Sequence, residues 1–183
     1  MSSATQSPAL STWTIDPAHS RAGFAVRHMM ISTVRGSFGA VTGTLDIDDA
    51  DPTRSSVRLE IDAATIDTGT EQRDAHLRSA DFFDVETFPT LTFESRRIEA
   101  TGQGRYRVAG DLTIRDVTRE VVLDVEEEGR GTDPWGGERI GFTAVTKLDR
   151  AEFGLTWNQA LEAGGVLVAN EVKVTVELQV SRA

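Results

Sequence analysis

The chain has 183 residues, no cysteine, and 19 lysines and arginines against 29 acidic residues, a formal net charge of −10 at pH 7. This length suits a single domain, and the lack of cysteine excludes disulfides, thiolate metal sites and cysteine nucleophiles. The acidic balance argues against a nucleic-acid partner and against electrostatic docking on anionic membranes, because both favour clustered basic side chains.

The N-terminal segment 1–11 is rich in Ser, Thr and Ala, and it has neither a basic start nor an apolar block. It therefore does not resemble a secretory signal, and we expect a disordered tail over 1–11 and one domain over 12–183. No stretch approaches the ~18 consecutive apolar residues that a membrane-spanning helix needs. Together these features predict a cytoplasmic protein without a membrane span.

Alternation of apolar and polar residues dominates the chain, and it is typical of strands with one buried face. The runs cover 24–28, 41–47, 57–63, 90–94, 106–115, 121–126, 139–148 and 172–180. Turn segments rich in Asp, Pro and Gly separate many of them. About eight strands joined mostly by short turns predict an all-β domain, either an antiparallel barrel or a sandwich.

One segment, about 70–80, has a helical pattern instead. Thr68 and Glu71 have the spacing of a capping box, which predicts Thr68 as the N-cap of a short helix. Asp74 and Arg78 lie one helical turn apart, so their side chains can pair. A helix this short is marginal alone, and we expect it to pack over the barrel.

Two connections remain open to more than one interpretation. Segment 81–89 carries three phenylalanines, which either plug one end of the barrel or line its mouth. Segment 151–165 holds Phe153, Leu155, Trp157 and Leu161, together with Gly154 and the pair Gly164-Gly165, and either a helix or an extended loop is possible there.

Few residues suggest catalysis. There is no nucleophile elbow and no glycine-rich phosphate loop, so we predict no catalytic residue and no cofactor. His19, His28 and His76 would suffice for a three-histidine zinc site if they converged, although their spacing does not indicate that they do. Structural histidines and no metal site are favoured. The alternative hypothesis is a metal-assisted hydrolase or an isomerase that acts on an apolar substrate.

The apolar residues allow either a packed core or a ligand cavity. An eight-stranded barrel is wide enough to be filled by its own side chains or to hold one small ligand. Small residues at inward positions, such as Gly43, Ala63, Gly110 and Ala144, favour a cavity slightly. Periodicity alone does not decide between the two.

Several short motifs follow one another along the chain. The most specific run is DFFD at 81–84, with Phe88-Pro89 and then FES at 93–95. The other motifs are WTIDPAHS (13–20), FAVRHM (24–29), VRGSF (34–38), DTG (67–69), Arg73-Asp74, His76-Leu77, GDLTI (110–114) and RAEFG (150–154). Their order and spacing together, from about Trp13 to Val180, resemble the YceI-like family of polyisoprenoid-binding, lipocalin-like proteins. Asp116 departs from the family pattern, which usually has glycine there.

The resemblance implies an extended eight-stranded antiparallel barrel with one short helix and a central apolar channel. It implies non-enzymatic binding, transport or storage of a long-chain isoprenoid lipid or isoprenoid quinone, and a possible homodimer. Many relatives are periplasmic, whereas this chain lacks an evident export signal.

Two groups of residues are predicted to form the lipid site. The first would line the channel and hold the chain; the second would meet a polar head group near the mouth. The predicted lining is Phe24, Val26, Met30, Phe38, Leu45, Leu77, Phe82, Phe83, Phe88, Leu91, Phe93, Phe142 and Trp157. The predicted head-group residues are Arg27, His28, Arg73, His76 and Arg78.

Overall fold

The alternating runs pair into one antiparallel sheet. The computed structural model describes residues 10–183. Its single α-helix, α1, spans Glu71–Arg78. The strands are β1 Ser11–Ile15, β2 Arg21–His28, β3 Ser32–Phe38, β4 Val41–Ile47, β5 Ser56–Asp62, β6 Ile66–Asp67, β7 Thr90–Gly102, β8 Arg105–Ile114, β9 Val117–Thr132, β10 Glu138–Asp149 and β11 Val168–Arg182.

Eight of these strands close into a barrel, as predicted. The ring runs β1-β4-β5-β7-β8-β9-β10-β11, and it closes where β1 pairs with β11, with Ile15 opposite Val180. The long strand β11 extends beyond β1 and pairs there with β2, to which β3 and then β6 are added. The hairpin of β2 and β3 therefore extends the barrel wall past the closed ring.

The two ends of the barrel differ. At one end, here called the helix end, lie α1, the β2–β3 turn and the connection 150–167. At the other, the terminal end, the chain enters β1 and leaves β11. Within residues 10–183, β6 has a strand partner only in β3, and the chain passes from β6 into α1 and then through 79–89 to β7.

Six of the eight alternating runs lie entirely within strands, and the other two extend one residue beyond a strand. Three strands, β1, β3 and β6, were not predicted. β6 has only two residues, and β3 carries Gly36 where its apolar pattern should continue. A Cβ at Gly36 would lie 2.5 Å from the Phe24 ring, so this glycine makes room for that ring. β1 begins at Ser11, which pairs with Ile47, so the predicted tail is too long there. Residues 1–9 of that tail lie outside the described residues.

The helix forms where predicted, but its start differs from the prediction. Thr70, not Thr68, is the N-cap, and no side chain caps the helix. The hydroxyl of Thr68 instead donates to buried Asp74, which also accepts a hydrogen bond from the Thr68 backbone N–H. Asp74 is therefore not paired with Arg78. Arg78 donates to backbone carbonyls of the preceding connection and β6, which ties α1 to the barrel.

Segment 151–165 is mostly an extended loop. Arg150–Phe153 form a short 3₁₀ turn, and Gly154 ends it with a left-handed φ of 79°. The segment then runs irregularly to β11, with only an isolated bridge between Ala160 and Val166. Between β9 and β10 the loop covers only 133–137, because β9 continues to Thr132.

Gly43 provides a test of the register between β4 and β5. Its φ of +141° disfavours any side chain, and a Cβ would collide with the Arg58 carbonyl oxygen. We expect Gly43→Ala to lower the free energy of unfolding by about 3 kcal/mol, measured by urea denaturation. Gly39→Ala is the matched control, since no atom lies within 4 Å of its Cβ position. Equal stability of the two variants would contradict this register.

Candidate functional site

The barrel is more tightly packed toward its terminal end than toward its helix end. Inward residues at the terminal end, such as Val180, Ile140 and Ile15, are at most 2% exposed. Inward residues toward the helix end, such as Val174 and Leu148, are only partly buried although they pack against the core. They border a cavity of about 580 Å³. The sequence left a packed core and a ligand cavity both possible, and the barrel interior contains some of each.

The wall of this helix-end cavity is almost entirely apolar. Aromatic rings form a continuous cluster along it: Phe38 lies 5.8 Å from Phe24 and 5.4 Å from Phe83 between ring centroids. Exposed Arg27, Thr70, Gln72 and Arg73 also border the cavity, so it reaches the surface there, and we call this opening the mouth.

A second, smaller cavity of about 110 Å³ lies toward the terminal end. The two cavities share the lining residues Leu59, Phe93, Leu123 and Val176, which lie between them and are here called the waist. Phe93 lies against Gly110, where a Cβ would be only 2.6 Å from the ring. The glycine therefore lets this ring lie close to the wall.

Charged groups border the smaller cavity on its outer side. The guanidinium of Arg130 lies 2.8 Å from carboxylate oxygens of both Asp49 and Glu127, and these two partners raise the pKa of Arg130. Tyr106 also lines this cavity, and burial raises the pKa of its hydroxyl.

Most of the predicted lining residues border one of the two cavities. Leu45 and Phe142 line the smaller cavity, and Phe93 lines both. The helix-end cavity is bordered by Phe24, Val26, Phe38, Leu77, Phe82, Phe83, Leu91, Phe93 and Trp157. The open question about segment 81–89 is thereby answered for Phe82 and Phe83, which line the cavity near its mouth.

Two predicted lining residues lie outside both cavities. Met30 occupies the β2–β3 turn, where its side chain is 64% exposed. Phe88 lies beneath the guanidinium of Arg115, 5.7 Å from its ring centroid, in the connection that leads to β7. At Met30 a left-handed backbone, with a φ of 62°, turns the residue away from the channel, a feature that alternation along strands does not reveal.

Four of the five predicted head-group residues lie at the cavity: Arg27, His28, Arg73 and His76. His76 is the most constrained, since its ring packs edge-on against Phe82 and Trp157 while Nε2 lies 2.9 Å from Asp81. Arg78 does not border the cavity, because its guanidinium is bound to backbone carbonyls below the helix.

Arg73 is partly committed to the protein itself. Its Nε donates to the Thr68 hydroxyl and its Nη2 to the Thr68 carbonyl. Because this arginine is exposed, its Nη1 remains available to a group at the mouth.

Arg150 is a site residue that sequence reasoning missed. It is buried in the cavity wall, and its guanidinium donates four hydrogen bonds to the carbonyls of residues 155, 157, 168 and 169. Within residues 10–183 it forms no salt bridge, and burial lowers its pKa. Its position in the RAEFG motif was the only signal that could have indicated it. Arg150 fixes the loop that closes one side of the cavity and places a positive charge there.

The three histidines do not converge. His19 lies in a 3₁₀ turn between β1 and β2 and pairs with Asp16 at 2.9 Å. His28 ends β2 at the mouth, and His76 pairs with Asp81 on α1. Across residues 10–183, no three His, Asp or Glu side chains come together in a group that could hold a metal ion. The convergence that the alternative hypothesis requires is therefore not met.

A closed antiparallel barrel with an apolar cavity open at one end is a lipocalin-like architecture. Residues 13–180 match the model of the YceI-like domain. A UPF0312 protein of Vibrio cholerae is 38% identical over 138 residues, which are 75% of this chain and 73% of the relative. The chain belongs to the YceI-like family.

Solved structures show the same fold. BcnA of Burkholderia cenocepacia superposes with a TM-score of 0.79 at 25% identity, over 90% of this chain and 98% of its own. A polyisoprenoid binding domain from Saccharophagus degradans superposes with a TM-score of 0.66 at 16% identity, over 96% of this chain and 100% of its own. Residues 10–183 include no helix that is both long and apolar enough to cross a bilayer.

Proposed function

We propose that this protein binds a long-chain isoprenoid lipid or isoprenoid quinone in the helix-end cavity, without chemical conversion. The observation that carries the proposal is the apolar cavity of about 580 Å³, which opens to the surface at a mouth with basic side chains. Burial contributes about 0.8 kcal/mol for each CH₂ group, so an unreactive chain can bind tightly. The structural likeness to a polyisoprenoid binding domain supports the same ligand class.

The cavity volume suggests a chain length. A cavity of roughly 150 Å³ holds one benzene molecule of six carbons, and 580 Å³ is about four times as large. The helix-end cavity therefore suits roughly 20–25 carbons, which is four to five isoprene units. A longer chain would have to extend out of the mouth or pass the waist.

The polar end of the ligand is proposed to remain at the mouth. Arg27 and Arg73 border the mouth, His76 lines the cavity beside it, and Arg150 adds a buried positive charge that forms no salt bridge within residues 10–183. These groups favour an electron-rich or anionic head group, such as a phosphate or a quinone carbonyl. A cytoplasmic location and a homodimer remain predictions from the sequence and the resemblance.

A chain-length series tests this function directly. Isoprenoid alcohols of increasing length are titrated into the protein, and affinity is followed by quenching of tryptophan fluorescence, since Trp157 lines the cavity. We expect the affinity to rise with each added unit and to level off at about four to five units. No binding at any length would contradict the proposal.

Phe93→Ala is expected to increase the isoprenoid length at which the affinity stops rising. Removing this ring opens the waist, and the smaller cavity of about 110 Å³ adds room for roughly one more isoprene unit. The favoured ligand should therefore become at least one unit longer. Phe142→Ala is the control, because Phe142 lines only the smaller cavity and leaves the waist closed. An unchanged preference in Phe93→Ala would show that the waist does not limit chain length.

A further inference from the structure

The turn between β2 and β3 exposes three consecutive apolar side chains. Met29, Met30 and Ile31, here called the hairpin tip, are 40%, 64% and 75% exposed. Val166, in the connection before β11, is 41% exposed. It lies near the hairpin tip, because the Met29 backbone N–H donates to the carbonyl of the next residue, Leu167. Contiguous exposed apolar residues of this kind mark contact sites.

The backbone holds the hairpin tip in this exposed position. Met29 and Met30 have φ values of 53° and 62°, a left-handed conformation that turns of this kind usually assign to Gly or Asn. The Arg27 guanidinium donates to the Met30 carbonyl and to Thr33 across the turn. Gly or a polar residue such as Asn would adopt this left-handed conformation more readily than Met. The stability of the turn therefore does not explain why methionines occupy these two positions.

The hairpin tip lies beside the mouth of the lipid cavity. Arg27 and His28, which immediately precede the tip, both border the cavity. So does Leu167, the residue whose carbonyl binds Met29. A lipid that enters or leaves through the mouth therefore passes next to the exposed methionines.

The charge of this hairpin is opposite to that of the whole chain. Segment 17–45 contains no Asp or Glu, although the chain carries a formal net charge of −10. Arg27 and Arg35 both lie within four residues of the hairpin tip, and both are exposed. The acidic composition argued against anionic membranes, but the β2–β3 hairpin, residues 21–38, carries three arginines and no carboxylate. Apolar side chains flanked by arginines suit an anionic bilayer surface.

We infer that the hairpin tip inserts into the surface of an anionic lipid bilayer, so that the mouth faces the membrane when the protein exchanges its ligand. The inference rests on the proposed function, because an isoprenoid chain that the cavity holds must come from an apolar source. Contact through the tip would let the chain move between bilayer and cavity without crossing water.

Vesicle flotation tests the contact itself. We expect the protein to float with vesicles of equal parts phosphatidylcholine and phosphatidylglycerol, and the double variant Met30→Ser/Ile31→Ser to bind them at least about tenfold more weakly. Arg35→Gln should weaken binding to these vesicles but not to pure phosphatidylcholine. Trp135→Ser is the matched control, because Trp135 is 87% exposed at the terminal end, beside acidic residues.

A transfer assay separates this inference from the proposed function. A fluorescent isoprenoid is offered either in vesicles or from a detergent-free ethanol dilution. The double variant should take up the ligand from vesicles at least about tenfold more slowly, with unchanged equilibrium binding from dilution. Equal uptake and flotation of the double variant and the parent protein would overturn the inference, as would loss of flotation in Trp135→Ser alone. A parent protein that does not float but dimerises through the hairpin tip would overturn the inference as well. If the parent protein binds the fluorescent isoprenoid neither from vesicles nor from ethanol dilution, the proposed lipid function itself is refuted.

Discussion

Phe83→Asp is expected to abolish tight binding of an isoprenoid of about 20 carbons. Phe83 lies in the cavity wall and packs edge-on against Phe38, at 5.4 Å between ring centroids. A carboxylate at position 83 must either keep its hydrating water, which displaces the isoprenoid chain, or lose that water when the isoprenoid chain covers it. Either cost is about 3 kcal/mol or more, which corresponds to roughly a hundredfold loss of affinity.

Phe88→Asp is the matched control for this prediction. Phe88 comes from the same connection and is also half-buried, but it lies outside both cavities. We expect it to bind the same ligand with nearly unchanged affinity. Binding is measured on variants whose circular dichroism shows a folded barrel. If folded Phe83→Asp binds as well as the parent protein, the chain does not occupy this wall.

The second large effect is expected on stability. Arg150→Met removes the guanidinium that binds four backbone carbonyls, two in the connection before β11 and two in the first residues of β11. Each buried carbonyl left without a donor costs about 1–3 kcal/mol, although water in the cavity can replace some of these bonds. We therefore expect the free energy of unfolding to fall by about 3–5 kcal/mol, and Tm by about 10 °C.

Arg97→Met is the control for Arg150→Met. Arg97 is exposed and pairs with Glu99 on the barrel surface, where an ion pair contributes at most about 1 kcal/mol. Chemical denaturation of both variants gives the comparison. Faster hydrogen exchange over 155–169 in Arg150→Met should accompany the loss of stability. A change below about 1 kcal/mol in Arg150→Met would show that the loop holds its conformation without the guanidinium.

The barrel was predictable because most of its strands have one packed face. In β11, for example, Val176, Leu178 and Val180 point inward at every second position, and the pattern is visible without a structure. β3 escaped prediction because Gly36 replaces an apolar side chain, and the space it leaves is filled by a ring from β2. The packing of the Phe24 ring against Gly36 depends on contacts between two strands, which the residue pattern within one strand does not show.

The site was less predictable than the fold. Alternation shows which residues face inward, but Leu148 and Val180 both do so and only one of them borders the helix-end cavity. Arg150 was missed because its partners are backbone carbonyls, which have no sequence signature. Met30 was misplaced because its exposure depends on the left-handed backbone of a turn. Alternation therefore assigned residues on strands, whereas the places of Met30, Phe88 and Arg150, which lie on turns or connections, required the structure.

Native mass spectrometry tests the central claim most directly. The parent protein is mixed with an isoprenoid of 20–25 carbons, which suits roughly the volume of the helix-end cavity, and the complex is analysed without denaturation. We expect one added ligand mass per chain, removed by extraction with organic solvent and absent in folded Phe83→Asp. Polypeptide mass alone, with or without added isoprenoid, would contradict it.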